Sequence, residues 1–257
     1  MLALFDSHCH LDFSVFDIDR ANVIARAEGV GVKHFAVPGV TRAQWLTCSQ
    51  IFRSMPQVTL GFGLHPYFIA EHVPADLMHL CQTLKANPAA FVGEIGLDTT
   101  CAFPVLQQQL FSAQLNIAAQ YQRPVVLHHR KSLDTMLAVV KNTKGLRGGL
   151  VHAFSGSREQ AQAWFNQGFK LGMGGVVTYP RAKKTRAVVT ALPLEAFVLE
   201  TDSPDMPLAG YQGQRNEPMR VAEVFRCFVE LRQAAFPHET EREIAEALFR
   251  NSQSLFC

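Results

Sequence analysis

Short apolar segments recur along this chain, and each is followed by a longer stretch with helical spacing. The segments are often rich in β-branched residues and are bounded by Gly, Pro or His, which is typical of buried parallel strands. They span residues 2–7, 33–37, 58–63, 90–95, 124–128, 149–153, 169–174 and 196–201. Eight strands that alternate with helices predict the α/β class, as a (β/α)₈ TIM barrel more readily than an open doubly wound sheet.

The longer segments between the strands and after the last strand predict helices. Ser157 and Gln160 have the spacing of a capping box, and Gly168 follows as a stop signal. The expected helices cover 19–28, 42–54, 105–121, 133–143, 157–167, 185–192, 217–234 and 239–256. Because no internal repeat or linker interrupts this order, we expect residues 1–257 to form a single domain.

The composition narrows the class of protein. A hydrophobic content of 48% over 257 residues is enough for a full core. The six cysteines show no C-x-x-C spacing, which argues against a zinc ribbon or a redox pair. The pattern shows no secretory signal and no apolar run of membrane-spanning length, so we expect a cytoplasmic protein without a membrane or obligate protein partner. A net charge of +2 is too mild to indicate a dedicated nucleic-acid-binding protein.

The first strand ends in two histidines, His8 and His10, with one residue between them. Side chains alternate along a strand, so both imidazoles leave on the same side and converge on one point. Imidazole is a common ligand of Zn, Cu, Fe and Ni. The pair therefore predicts half of a divalent-metal site.

Other strands also end in ligand-type side chains. Glu94 ends the fourth strand, where a carboxylate can bind one metal ion or bridge two. The fifth strand ends in adjacent histidines that point to opposite faces, and we favour His128 for the barrel mouth, with Arg130 on the same face. The pattern also permits His129. His152 follows the sixth strand.

The third and eighth strands add three candidates. His65 begins the loop after the third strand. Glu200 and Asp202 end the eighth strand and are expected to share a face by the period of two. Asp202 lies nearer the carboxyl edge, so it is the stronger candidate for a ligand or proton acceptor.

The carboxyl ends of the strands are where barrel enzymes build their active sites. We expect one metal ion on His8, His10 and Asp202, a second on His128 and His152, and Glu94 bridging the two. Two divalent ions, whether Zn, Mg, Mn or Ni, with positions left open for water and substrate support hydrolysis by activated water.

Six ordered strings, DSHCHLD, GLHP, GEIGLD, LHHR, VHAFSG and ETDSP, resemble the signature blocks of the TatD family of metal-dependent deoxyribonucleases, in the amidohydrolase-like superfamily. The resemblance runs nearly from end to end. It implies a TIM barrel with a two-metal site. By position it implies metal binding by His8, His10, Glu94, His128 and His152, Asp202 as a ligand or general base, and His65 on the scissile phosphate.

The chain departs from the family at two places. Members commonly carry an aromatic residue after GLD and an Arg-Asp pair after the histidine of the fifth strand, whereas this chain has Thr99 and Lys131 there. The resemblance implies that both positions border the substrate groove. The lost acid makes the groove more positive, which is compatible with a phosphate-bearing ligand.

The leading hypothesis is a divalent-metal phosphodiesterase that acts on DNA ends or oligonucleotides. Asp202 and His65 are its expected catalytic residues, and His65 and Arg130 its expected phosphate contacts. Loop aromatics are available for base stacking; they are Tyr67, Phe68 and Tyr179. Two alternatives stay open: a metal-dependent hydrolase of a small ester, amide or phosphate, and a non-catalytic binding protein with a vestigial metal site.

Overall fold

A computed structural model describes residues 2–257 and shows eight parallel strands in the order of the sequence. Each strand pairs with the next one along the chain, which confirms the predicted TIM barrel. The strands are β1 (Leu4–Asp6), β2 (Val32–Gly39), β3 (Val58–Phe62), β4 (Phe91–Asp98), β5 (Val125–Arg130), β6 (Gly149–Val151), β7 (Phe169–Met173) and β8 (Phe197–Leu199).

Helices connect the strands and surround the sheet. They are α1 (Arg20–Gly29), α2 (Arg42–Ile51), α3 (Ala75–Ala86), α4 (Pro104–Gln120), α5 (Leu133–Asn142), α6 (Arg158–Phe165), α7 (Lys183–Val189), α8 (Val221–Ala235) and α9 (Glu241–Phe256). The sequence prediction lacked α3. The capping box before α6 is present, with Ser157 and Gln160 bonding each other's backbone N–H groups. Within residues 2–257, no helix is both long and apolar enough to cross a membrane.

Backbone hydrogen bonds join the first and last strands just beyond their ends. The N–H of Ser7 donates to the C=O of Leu199, and the N–H of Asp202 donates to the C=O of His8, each at 2.9 Å. The N–H of His10 donates to the C=O of Ser203 at 2.7 Å. These bonds bring the two ends of the sheet together and place the segment after β8 directly beside the two N-terminal histidines.

A compact apolar layer supports the site from below. It takes one residue from each of six strands together with the last turn of α9: Phe5, Ala36, Phe91, Val126, Leu150, Val198, Leu255 and Phe256. The candidate metal ligands lie on or just after these strands, two to five positions beyond the layer residue of the same strand. The layer therefore fills the barrel beneath the carboxyl ends, as in other TIM barrels.

Candidate active site

Four ligand-type atoms meet at the carboxyl end of the barrel. The Nε2 atoms of His8 and His10 lie 3.2 Å apart. Glu94 Oε2 lies 3.2 Å from the first nitrogen and 3.4 Å from the second. Asp202 Oδ1 lies 3.3 Å and 3.6 Å from the same two atoms. All four side chains are buried or nearly so.

The separations of these four atoms fit a bound cation. Ligand atoms about 2.0–2.1 Å from a tetrahedral ion lie about 3.3–3.4 Å from one another, and the measured distances run from 3.2 to 3.6 Å. Two imidazoles and two carboxylates are also a donor set that Zn and its neighbours accept. His8, His10 and Glu94 form a ligand triplet that could hold one divalent ion, and Asp202 lies beside both imidazoles.

The second oxygen of Glu94 faces a different imidazole. Its Oε1 lies 3.2 Å from Nδ1 of His128, while Nε2 of His128 lies 3.3 Å from Oδ2 of Asp98. Burial opposes protonation of His128, but hydrogen bonds to Asp98 and Glu94 outweigh it and raise the pKa to about 9. Because Nε2–H is anchored to Asp98, Nδ1 is the nitrogen that faces Glu94, and a metal ion would bind there in exchange for its proton.

His152 is held in a similar way from the other side. Its Nδ1 lies 3.1 Å from Oε1 of Glu200, and its Nε2 lies 3.6 Å from Oδ2 of Asp202. Its ring stacks on that of His8 with 3.8 Å between centroids. Because Nδ1–H donates to the buried carboxylate of Glu200, Nε2 is left with a free lone pair toward the cluster.

This arrangement differs in part from the sequence-based expectation. Within the described chain, the ligand triplets join His152 to His8 and Asp202, and join His128 to Glu94 and His65. The expected pairing of His128 with His152 on a second ion is not among these triplets and stays a prediction. Glu94 lies between the groups, with one oxygen toward each, as a bridging ligand must.

His65 faces the cluster as a hydrogen-bond donor. The backbone N–H of Tyr67 donates to its Nδ1 at 3.0 Å, so the proton of the neutral ring sits on Nε2. Burial lowers the pKa of His65 to about 4, which keeps the ring neutral. Nε2 lies 3.3 Å from Oε1 of Glu94. A protonated Nε2 cannot ligate a metal, but it can donate to a substrate oxygen.

The structure also places the remaining candidates. His128 contacts Glu94, whereas the ring of His129 lies beside Phe154 with 6.3 Å between centroids. Burial lowers the pKa of His129 to about 4. Arg130 is exposed at the end of β5, and within residues 2–257 its guanidinium makes no hydrogen bond or ion pair. The structure therefore favours His128 over its neighbour.

The stacking candidates lie at the rim. Tyr67 is exposed, and Phe68 packs edge-on against the ring of His65 with 6.1 Å between centroids. The hydroxyl of Tyr179 donates to the C=O of Pro207 at 2.7 Å, so this ring also has a packing role. Only Tyr67 presents a largely free ring face.

Sequence reasoning named Glu200 only as a weaker candidate beside Asp202, and it missed the supporting role of Asp6. Glu200 does approach His152 together with Asp202, but from the opposite edge of the ring, because the chain turns into the left-handed region at Asp202 with φ 56°. Asp6 accepts from the N–H and Oγ1 of Thr201 at 2.9 and 2.6 Å. Burial outweighs these bonds and raises the pKa of Asp6 to about 7. The signal in the sequence that could have indicated these supporting residues is their position, since they are polar residues close to the candidate ligands.

A groove of about 600 Å³ opens beside the cluster. Phe13 lines it and stacks on the ring of His10 with 4.5 Å between centroids. Asp12 and Asp205 also line it, and one oxygen of the buried Asp12 carboxylate has no protein partner. The one arginine in its wall, Arg215, is already paired with Asp19 and Glu217. The groove is therefore acidic.

The barrel and its ligand cluster define the class of metal-dependent barrel hydrolases. The family model for TatD related DNase matches residues 5–257. The chain is 40% identical over 255 residues to the uncharacterized metal-dependent hydrolase YjjV of Escherichia coli K12, with 98% of this chain and 96% of the relative covered. This chain belongs to the TatD family, as its sequence blocks predicted.

Two further comparisons bear on the fold and the activity. The crystal structure of the same E. coli protein superposes with a TM-score of 0.93, covering 98% of this chain and 97% of the other. A protein of Salmonella typhimurium named 3'-5' ssDNA/RNA exonuclease TatD is 31% identical over 205 residues, which cover 78% of this chain and 79% of the relative. The family thus includes proteins named as hydrolases and as nucleases.

Proposed function

We propose that this chain hydrolyses phosphodiester bonds at the ends of single-stranded DNA or oligonucleotides, with two divalent ions at the barrel mouth. The observation that carries the proposal is the position of Glu94, whose Oε2 faces the nitrogens of His8 and His10 and whose Oε1 faces Nδ1 of His128. Two-metal sites of this kind are typical of phosphodiester hydrolysis. The Salmonella relative named as an exonuclease supports the same reaction.

The ions would be held by His8, His10, Glu94, Asp202, His128 and His152, and divalent ions there supply Lewis acidity and lower the pKa of water. Asp202 is the proton acceptor, because it is the carboxylate at the open edge of the cluster, with 15% of its side chain exposed. His65, as the neutral imidazole, donates a hydrogen bond from Nε2–H to a phosphate oxygen. The exposed Arg130 adds positive charge to the phosphate side.

The two sides of the mouth suit different parts of a substrate. Arg130 and Lys131 are exposed where β5 ends, and cations at that rim attract a polyanion. Asp12 and Asp205 make the groove beside His10 acidic, so a phosphate there is repelled and a terminal nucleoside with free hydroxyls is favoured. This contrast supports action at a chain end rather than within a duplex.

The test is a screen of the purified protein, loaded with Mn²⁺, Mg²⁺ or Zn²⁺, against labelled single strands, duplexes, phosphomonoesters, esters and amides. We expect stepwise shortening of single strands. The Glu94→Gln variant should abolish it, whereas the Glu195→Gln variant at an exposed site should not. Turnover of esters or amides alone would contradict the nuclease proposal.

One alternative keeps the site but changes the substrate to a small ester, amide or phosphate. The groove supports it, since about 600 Å³ is also the size of a small-molecule site. A binding protein with a vestigial metal site is the other alternative, and absence of turnover with any substrate together with retained oligonucleotide binding would support it. The buried set of ligand-type residues favours catalysis over the second alternative.

We also propose a cytoplasmic location for the protein. All six cysteines are free thiols, which is usual in a reducing compartment. Recovery of the native protein with six titratable thiols from the cytoplasmic fraction is the expected result. Recovery from an extracytoplasmic fraction would contradict it.

A further inference from the structure

Helix α4 carries two buried glutamines on one face. Gln107 and Gln114 are seven residues apart, two turns of helix, and are 3% and 0% exposed. The intervening Gln108 and Gln109 are exposed. A buried amide is costly unless all its polar atoms are bonded, so the partners of these two side chains explain their positions.

Each of the two amides bonds both peptide groups of a single residue on another element. Gln114 accepts from the N–H of Leu64 at 2.7 Å and donates to its C=O at 3.2 Å. Gln107 accepts from the N–H of Asp98 at 2.9 Å and donates to its C=O at 3.1 Å. Each glutamine amide thus bonds the N–H and the C=O of one residue at the same time, as the backbone of a neighbouring strand would.

The segment that Gln114 bonds lies where the sheet itself gives little support. β3 pairs with β4 only through Gly61 with Phe91 and Phe62 with Val92, so Leu64 is beyond the last paired residue. A buried peptide group without a partner costs about 1–3 kcal/mol. Gln114 supplies that partner. Gln107 bonds the last residue of β4, Asp98, which also pairs with Arg130 of β5.

The two bonded residues lead directly to the site. Leu64 precedes His65, whose Nε2 faces Glu94 at 3.3 Å. Asp98 lies 3.3 Å from Nε2 of His128. We propose that α4 is a positioning element of the active site, in which Gln114 fixes the substrate donor His65 and Gln107, through Asp98, fixes the metal-facing edge of His128.

The test compares three full-length variants from one helix: Gln107→Met, Gln114→Met, and the exposed control Gln108→Met. Binding of Mn²⁺ alone is measured by calorimetry, and kcat and KM are measured with a single-stranded oligonucleotide. We expect Gln107→Met to weaken Mn²⁺ binding about 10–100-fold, as for other residues that orient ligands. Gln114→Met should leave Mn²⁺ binding within twofold and raise KM about tenfold. Gln108→Met should change neither.

The inference rests on the proposed function for its kinetic part only. If the wild type binds Mn²⁺ but cleaves no oligonucleotide, the nuclease proposal fails, and the Gln107 comparison alone decides the inference. If both buried variants lower the melting temperature while Mn²⁺ affinity and KM match those of the Gln108 variant, the glutamines only stabilise the fold and the inference is overturned.

A second pair of variants keeps the test decisive if the methionine variants do not fold. Gln107→Glu and Gln114→Glu retain the shape and one acceptor but lose the amide donor. They should show the same division, with Mn²⁺ affinity changed by the first and KM by the second. Equal effects of both on both measurements would overturn the inference.

Discussion

At the scale of single residues, the bond on the far nitrogen decides what each imidazole can do at the cluster. Carboxylates hold the far nitrogens of His152 and His128, which turns the near nitrogen of each ring toward the site. A backbone N–H holds the far nitrogen of His65, which leaves a proton toward the site. The same side chain thus has two chemical roles, set by its neighbours.

Removal of Glu200 should therefore weaken metal binding without touching a ligand. Its Oε1 accepts from Nδ1 of His152 and, at 2.6 Å, from the N–H of Ala153. In Glu200→Ala the ring loses its anchor, and we expect Mn²⁺ affinity to fall about 10–100-fold by calorimetry. Unchanged affinity in a folded Glu200→Ala protein would contradict this role, and Glu195→Ala serves as the control.

Removal of His65 should have the opposite signature. A hydrogen bond to a charged group is worth about 1.5–3 kcal/mol, so His65→Ala should lower kcat/KM roughly 10–150-fold. Because the Nε2 proton excludes it from ligation, metal content should stay at the wild-type value by elemental analysis. Loss of one bound ion from His65→Ala would show that it is a ligand instead.

At the scale of elements, the local sequence pattern predicted the number and order of the strands. Eight apolar runs became eight strands, and the period of two placed His8 and His10 on one side. It favoured His128 but could not exclude His129, because that depends on the register of β5 against β4. The supporting contacts were missed because the two partners are distant in sequence; Glu200 is 48 residues from His152 and Gln114 is 50 from Leu64.

A pair of glycines tests how tightly the elements pack. A Cβ at Gly61 of β3 would lie 2.0 Å from the ring of Phe91, whereas one at Gly29 of α1 would meet nothing within 4 Å. Gly61→Ala should therefore destabilise the protein by about 1–3 kcal/mol, and Gly29→Ala should stabilise it by up to about 1 kcal/mol. Thermal melts measure both, and equal effects would contradict the packing of β3 on Phe91.

At the scale of the whole molecule, the metal cluster joins segments from the two ends of the chain. His8 and Asp202 are 194 residues apart in the sequence, and Nε2 of His8 lies 3.3 Å from Oδ1 of Asp202. The barrel must close before these ligands converge, so a bound ion stabilises the closed fold relative to the unfolded chain. The pattern of residues predicted the candidate ligands, and the complete barrel brings these residues to one place.

Metal removal should accordingly lower the melting temperature. A divalent ion at 100 times its Kd adds about 2.7 kcal/mol to the free energy of unfolding. For a chain of this size that is a shift of roughly 5–11 °C at 2–4 °C per kcal/mol. Dialysis against a chelator followed by return of Mn²⁺ should lower and then restore the melting temperature in calorimetric scans. No shift in either direction would mean that the cluster binds no ion in the native state.

The most direct measurement is a crystal structure of the Mn²⁺- or Zn²⁺-loaded protein with anomalous scattering data at the metal edge. We predict one peak coordinated by His8, His10, Glu94 and Asp202, and a second on the other oxygen of Glu94, adjoining His128. Peaks absent from the barrel mouth, or a mouth peak that Glu94 does not ligate, would contradict the account.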